Sequence, residues 1–413
     1  MLKARVGFLY NHYATHQVLH TAPVAFALSE LDPDLEVQVL ASCETQLAMA
    51  RRIGAGWPDH RVAFRQLPLS RADQALRRFG IEARNGLKRR TLLANRDLLA
   101  ELDALVVPER TSVLLRKHPT LNHVQLIHIP HGAGDRAVGY ERRNAAFDLL
   151  LVSGEKCRQR FISEVGIDPD RVHAIGYPKF DVPVMTPAVD LFPEARPTVL
   201  YNPHFDPKLS SWPRLGQRVL EFFSGQSTFN LIFAPHVMLP MKRGQRMARS
   251  LARFGAQPHI HIDLGSDRCV DMTYTRCADI YLGDVSSQIY EFVVNPRPAV
   301  FFNAHRLRGW EQNQNFRHWT LGTVIEDVAE LNSALLRPLT AEMRERQQRL
   351  ASMTFRSSTR SASGLAAELI RTQLMKPHPQ RACRQRPMDA ALAESRSRRM
   401  LRPAIRKWAP AQK

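Results

Sequence analysis

A chain of 413 residues, 44% hydrophobic and 23% charged, is too long for one small domain, and its composition excludes collagenous, repetitive or globally disordered protein. The formal charge of +19 is unevenly spread: residues 376–413 hold eleven Lys and Arg against Asp389 and Glu394, a net +9, so an anionic partner is expected. No apolar run approaches the roughly 18 residues that span a bilayer, and the first residues read as a strand rather than a signal peptide. The expected location is therefore the cytoplasm.

In chain order, Val6–Tyr10, Val37–Ala41, Val62–Leu67, Ala104–Val107, Gln125–Ile129 and Leu149–Ser153 read as short apolar strands. Thr21–Leu31 and Thr91–Leu102 carry apolar residues at helical spacing between them, and this alternation predicts a parallel sheet covered by helices. From Gly176 to Pro197 proline is too dense for a central strand or helix interior, so residues 181–197 read as a linker between a domain at 1–180 and a second at 198–375. The second half repeats the plan with strands at Thr198–Tyr201, Asn230–Ala234, His259–Asp263, Asp279–Leu282 and Ala299–Phe302. Helices are expected over Leu215–Phe223, Arg243–Phe254, Ser286–Val294 and Ala341–Ala351, and a last one near Ser363–Leu374 is positioned to cross back to the first domain. The expected fold is α/β, two Rossmann-like domains whose parallel sheets face a central cleft. Residues 376–413 form a basic tail whose mixture of cations and apolar side chains suits a membrane surface or a solvated, disordered segment.

Three strand ends carry polar residues of the kind a ligand crevice needs. Gln125–Pro130 runs into His131-Gly132-Ala133-Gly134-Asp135-Arg136, where glycine lets the backbone approach a ligand; Asn230–Ala234 runs into Pro235-His236. Asp279–Leu282 runs into Gly283-Asp284-Val285-Ser286-Ser287, where hydroxyls and backbone N–H groups at a helix start form a phosphate seat or, equally, a plain N-cap. One crevice holding an anion accounts for all three. No G-x-G-x-x-G, P-loop or G-x-S-x-G motif is present, which removes support for nicotinamide dehydrogenases, P-loop ATPases and α/β-hydrolases. The five cysteines (Cys43, Cys157, Cys269, Cys277, Cys383) are scattered without C-x-x-C spacing, so neither a disulfide framework nor a zinc site is expected.

In order, His131-Gly132, Gly176-Tyr177-Pro178, Tyr201-Asn202-Pro203, Pro235-His236 and Asp284-Val285-Ser286-Ser287 with Glu291-Phe292 resemble the signatures of the CDP-glycerol glycerophosphotransferase family. These enzymes build teichoic-acid-like and capsular polymers of the cell envelope and are similar to GT-B glycosyltransferases in fold. The similarity runs from the His131 strand to the Pro298 strand, with a general match before it. Departures are Val285, where the family often has an aromatic residue, Arg136 in place of a lysine after His-Gly, and Pro203-His204-Phe205-Asp206-Pro207 in place of a Pro-Thr-like element.

The resemblance implies transfer of a glycerophosphate or related group from a CDP-linked donor to a polymer or lipid-linked acceptor. Such a reaction needs a base, for which His131 is the candidate, and donors to the leaving phosphate, for which His236, Lys242, Arg243, Ser286 and Ser287 are placed. Asp284 is the third catalytic candidate, as an orienter of His236 or the serines; Gly132 and Arg136 are substrate contacts, and Glu291 is placed to hold ribose hydroxyls. No metal and no cofactor are expected, since no D-x-D pattern accompanies the carboxylates. Two alternatives stand beside this: a nucleotide-sugar glycosyltransferase or UDP-sugar 2-epimerase, and a protein binding an anionic surface or nucleic acid through its tail. On the first expectation nucleic acid is not a partner, and an anionic membrane is.

Overall fold

The computed structural model describes residues 3–11, 15–78, 86–183 and 190–376; the side chains of 72, 76–78 and 241–246 lie outside the described residues. The expectations for Lys242 and Arg243 and for the basic tail beyond residue 376 therefore fall outside them as well.

Short apolar runs without alternation form strands buried on both faces, the pattern of parallel sheets. Among the described residues the first sheet contains β1 (Arg5–Tyr10), β2 (Glu36–Ala41), β3 (Ala63–Gln66), β4 (Ala104–Val107), β5 (Gln125–His128), β6 (Leu149–Val152) and β7 (Val172–Ala174). They pair in the order β3-β2-β1-β4-β5-β6-β7, every pairing parallel. The second sheet contains β8 (Thr198–Asn202), β9 (Asn230–Phe233), β10 (Ile260–Ile262), β11 (Ile280–Gly283), β12 (Ala299–Phe302) and β13 (Thr323–Ile325). Its order, β10-β9-β8-β11-β12-β13, is again fully parallel. The chain is thus two Rossmann-like α/β lobes, and in each the strand order reverses beside the first strand, where such sheets open a crevice at their carboxyl ends.

The structure departs from the sequence expectations where apolar periodicity is absent. Strands β7 and β13 are three residues long at sheet edges, each with two of three residues half-buried, so neither makes an apolar run. The helix expected over residues 91–102 is divided into Leu87–Ala94 and Arg96–Leu99. Asn95 divides it: its Nδ2 donates to the carbonyls of Thr91 (2.8 Å) and Pro68 (3.1 Å), tying the break to the β3 loop. The helix expected over 286–294 spans only Gln288–Phe292. Ser286 accepts from the Gln288 N–H (3.2 Å) in a tight turn at its start, and Pro296 and Pro298 follow its end.

Residues to Leu374 pack as one compact unit. The last helix, Ala362–Met375, returns to the first lobe: the Ser363 N–H donates to Asp181 Oδ2 (2.7 Å), and Gln125 Nε2 donates to the Gln373 carbonyl (3.4 Å). Just before it, the Arg356 N–H donates to the Ser153 carbonyl (2.8 Å). Among the described residues no helix is long and apolar enough to cross a membrane.

This return crossing leaves no room beside Gly154, where a Cβ would stand 2.5 Å from the Thr354 carbonyl oxygen and 2.6 Å from that of Met353. Backbone cannot swing aside as a side chain can. Gly154→Ala is expected to cost about 1–3 kcal/mol, read as a lower urea midpoint with an unchanged slope.

Candidate functional site

A cleft of about 630 Å³ lies at the carboxyl ends of both sheets. Loops after β5, β8, β9 and β11 and the 3₁₀ turn Thr15–His20 after β1 supply its walls, so His131, His236, Ser286 and Ser287 share one cavity.

His131 follows β5 and opens into the cleft. Its Nδ1 donates to the Pro108 carbonyl (2.8 Å), which places the ring hydrogen there and leaves Nε2 with its lone pair. Packing of the surrounding protein lowers its pKa, the Pro108 bond opposes that, and the Lys88 and Arg110 cations reinforce it. The ring is therefore a neutral proton acceptor near pH 7.

His236 has the opposite tautomer. The Met238 N–H donates to its Nδ1 (3.2 Å), so the hydrogen of the neutral ring is on Nε2 and the ring is a donor. The His16 ring lies between the two, its centroid 5.5 Å from that of His131 and 6.3 Å from that of His236.

Gly132 brings the lobes together. At φ +82° it occupies the left-handed region, and a Cβ there would stand 2.9 Å from Ser287 Oγ, so the His-Gly loop and the Ser-Ser turn touch because glycine has no side chain. Arg136, four residues on, also spans the lobes, its Nη1 3.3 Å from His204 Nε2.

Two of the expected site carboxylates are bonded within the protein. Asp284 is 1% exposed, and its carboxylate accepts from the N–H groups of His204 (2.8 Å), Ser211 (2.6 Å) and Val285 (2.7 Å) and from Ser211 Oγ (2.8 Å). Burial raises its pKa against these four donors. All of these donors belong to its own lobe, and it positions the loop after β8. Glu291 is likewise occupied: Tyr177 OH donates to Oε1 (2.9 Å), and Lys179 Nζ lies 2.8 Å from both oxygens. It is a buried bridge to the Gly176–Lys179 segment at the wall of the cleft. The five-residue helix that carries it presents little macrodipole, so the donors at this seat are the hydroxyls and backbone N–H groups.

Sequence reasoning missed a buried network between the lobes. Asp135 accepts from Lys156 Nζ (2.9 Å) of its own lobe and from Tyr290 OH (2.6 Å), the His318 N–H (3.2 Å) and His318 Nδ1 (3.2 Å) of the other. His318 Nε2 in turn donates to the Asp284 carbonyl (3.0 Å), and Trp319 Nε1 donates to the same oxygen (2.7 Å). Burial pushes the Asp135 pKa up, but Lys156, His318 and Tyr290 together outweigh it and hold the carboxyl well below the usual range. A buried lysine on an amphipathic helix and a histidine at no recognisable spacing give no sequence signal; the position of Asp135 four residues past His131 was the available clue.

Among the described residues no group of three or more His, Cys, Asp or Glu is arranged to hold a metal ion, and Cys43, Cys157, Cys269 and Cys277 are free thiols.

Two facing Rossmann-like lobes with a ligand crevice between them define a GT-B-like architecture, and solved structures share it. The chain is similar to a structure described as Staphylococcus aureus MnaA with UDP, at a TM-score of 0.59 and 14% identity, covering 91% of this chain and 99% of that one. It is also similar to the wall teichoic acid polymerase TagF (TM-score 0.56, 12% identity, 91% and 90% covered). A third is the Neisseria meningitidis UDP-GlcNAc 2-epimerase bound to UDP-GlcNAc (TM-score 0.57, 14% identity, 90% and 100% covered). No protein-family profile and no curated protein sequence matches the chain.

The depressed Asp135 pKa has a definite sign. Its contribution to stability is present above the unfolded carboxylate pKa near 3.9 and is lost as pH falls through the folded value. Asp135→Asn is expected to cost about 3 kcal/mol at pH 7 and to flatten the fall in unfolding free energy below about pH 4, measured by urea titrations across pH 3–7.

Proposed function

We propose that this chain is a nucleotide-dependent transferase that moves a glycerophosphate or related group from a CDP-linked donor to a polymer or lipid-linked acceptor. The observation that carries the proposal is the pair of opposite histidine tautomers in one cleft: an acceptor nitrogen on His131 in the first lobe and a donor nitrogen on His236 in the second. A transfer reaction uses both at once.

The acceptor hydroxyl gives its proton to His131 Nε2 as its oxygen bonds to the distal phosphorus of the donor. The bond from that phosphorus to the bridging oxygen breaks, and the nucleoside monophosphate leaves with the electron pair. Charge growing on the departing phosphate is met by His236 Nε2–H and the Ser286 and Ser287 hydroxyls. Gly132 admits the donor's phosphates by keeping the wall beside Ser287 free of a side chain. Asp284 fixes the loop that carries His204, and the Asp135–His318 contact sets the first lobe against the second.

Support for a nucleotide in this cleft comes from structures of like fold, whose descriptions name UDP, UDP-GlcNAc and CDPG as bound or soaked molecules. The order of short motifs supports the CDP-linked donor. A UDP-sugar 2-epimerase is the second reading, favoured by the fold likeness to two proteins so described. The basic tail, through its charge, would add attraction for an anionic membrane face, and the working location is the cytoplasmic side of such a membrane.

A thermal-shift series with CDP, UDP and GDP compounds decides the base; a rise in melting temperature with CDP-glycerol is expected, and no rise with any nucleotide defeats the proposal. His131→Ala is expected to lower turnover about 100-fold or more while donor affinity, measured by calorimetry, stays within about twofold. Retention of turnover would remove His131 as the base.

A further inference from the structure

We propose that His20 is a hydroxyl seat of the cleft, its Nε2 holding a substrate hydroxyl beside the one that gives its proton to His131. The proposal rests on the cleft being the transfer site read above and adds a residue that recognises a polyol there.

His20 ends the 3₁₀ turn Thr15–His20, is 6% exposed and lines the cleft. Its Nδ1 is sealed from water and has no hydrogen-bond partner. A buried ring nitrogen left unmet costs stability, and an apolar ring of similar shape avoids that cost. Packing alone therefore gives no reason for a histidine at this position. Nε2 is not sealed in the same way, and among the described residues nothing bonds it. Since the ring lines the cleft, Nε2 is the polar atom that a ligand meets.

The surroundings set the kind of ligand. Burial holds the pKa of the ring well below the ordinary imidazole value, and the Lys179 ammonium acts in the same direction, so the ring is neutral near pH 7. A neutral imidazole offers one N–H or one lone pair at Nε2 and no charge. A hydroxyl both donates and accepts and so meets either tautomer, whereas a phosphate oxygen meets only the N–H. The nearby cation that could draw an anion is already occupied, with Lys179 Nζ at 2.8 Å from both oxygens of Glu291.

The seat is held in place before a ligand arrives. The His20 ring stands edge-on to Tyr177, centroids 5.2 Å apart, and the Tyr177 OH donates to Glu291 (2.9 Å). The His131 ring is 6.4 Å away, centroid to centroid. With hydrogen bonds of about 2.8 Å from each ring, this spacing brings neighbouring hydroxyls of one small polyol within reach of both imidazoles. His131 takes the proton, and His20 orients the carbon that carries the reacting oxygen.

Transfer from CDP-glycerol by the full chain tests this in wild type, in His20→Phe, which keeps a ring and loses both nitrogens, and in His20→Gln, which keeps a polar group near the position of Nε2. His20→Leu stands in should the larger Phe ring prevent folding. Propylene glycol and propanol serve as acceptors, differing by one hydroxyl next to the reacting one. Wild type is expected to favour propylene glycol about tenfold in kcat/KM; the preference disappears in His20→Phe and is partly kept in His20→Gln, with CDP affinity held within about twofold. A ring that served only the fold would lower both rates together and leave the preference. If the transferred group brings the hydroxyl instead, the acceptor preference stays and the affinity for CDP-glycerol relative to CDP, measured by calorimetry, falls about tenfold in His20→Phe, which supports the seat and assigns its source. Both ratios unchanged from wild type overturn it. Should wild type consume no CDP-glycerol, the transfer reading fails separately; glycerol is then titrated onto protein labelled with nitrogen-15 at histidine. A His20 Nε2 resonance, assigned by its loss in His20→Gln, that moves no more with glycerol than with propanol overturns the seat.

Discussion

One carboxylate holds the lobes in register. Asp135 leaves the first lobe four residues after His131 and is 3% exposed, yet it accepts from Lys156 on its own side and from Tyr290 and His318 on the other. Taking a charge this far from water costs several kcal/mol, which the bonds offset only if all are made together. That condition ties the relative placement of the lobes to a single arrangement. The Lys156 ammonium also sits 3.5 Å from the centre of the Tyr290 ring, so the cation that neutralises Asp135 is itself seated on an aromatic face of the second lobe. Both nitrogens of His318 face acceptors, Asp135 on one side and the Asp284 carbonyl on the other.

From Asp135 a line of bonds runs through His318 to Asp284, and from the Asp284 carboxylate to the backbone of His204 and Ser211. The loop after β5 and the loops after β8 and β11 are thereby fixed against each other. The second buried bridge, Lys179 to Glu291, repeats the device at the next residue of the same short helix. Both Asp284 and Glu291, singled out in the sequence, bond to other segments of the folded protein.

Histidines then do what their backbone neighbours dictate. His131 gives its hydrogen to a carbonyl and keeps a lone pair; His236 accepts an N–H and keeps a hydrogen. Two imidazoles of identical composition acquire opposite tautomers from the turn in which each is held.

The sequence by itself determined the sheets: apolar runs such as Ala104–Val107 and Ala299–Phe302 are buried on both faces and are therefore continuous, and the polar ends at His131, His236 and Ser286 mark where a crevice opens. It also marked the helix that returns to the first lobe. Tertiary structure alone decided the bonding partners of Asp284, Glu291, Asp135 and His318, because a side chain's partner far along the chain leaves no local periodicity. The edge strands β7 and β13 escaped for the same reason: pairing with a neighbour, rather than a pattern within the segment, makes them strands. Local order is written in spacing along the chain, whereas the direction in which a buried carboxylate turns is set by whichever donors folding brings beside it.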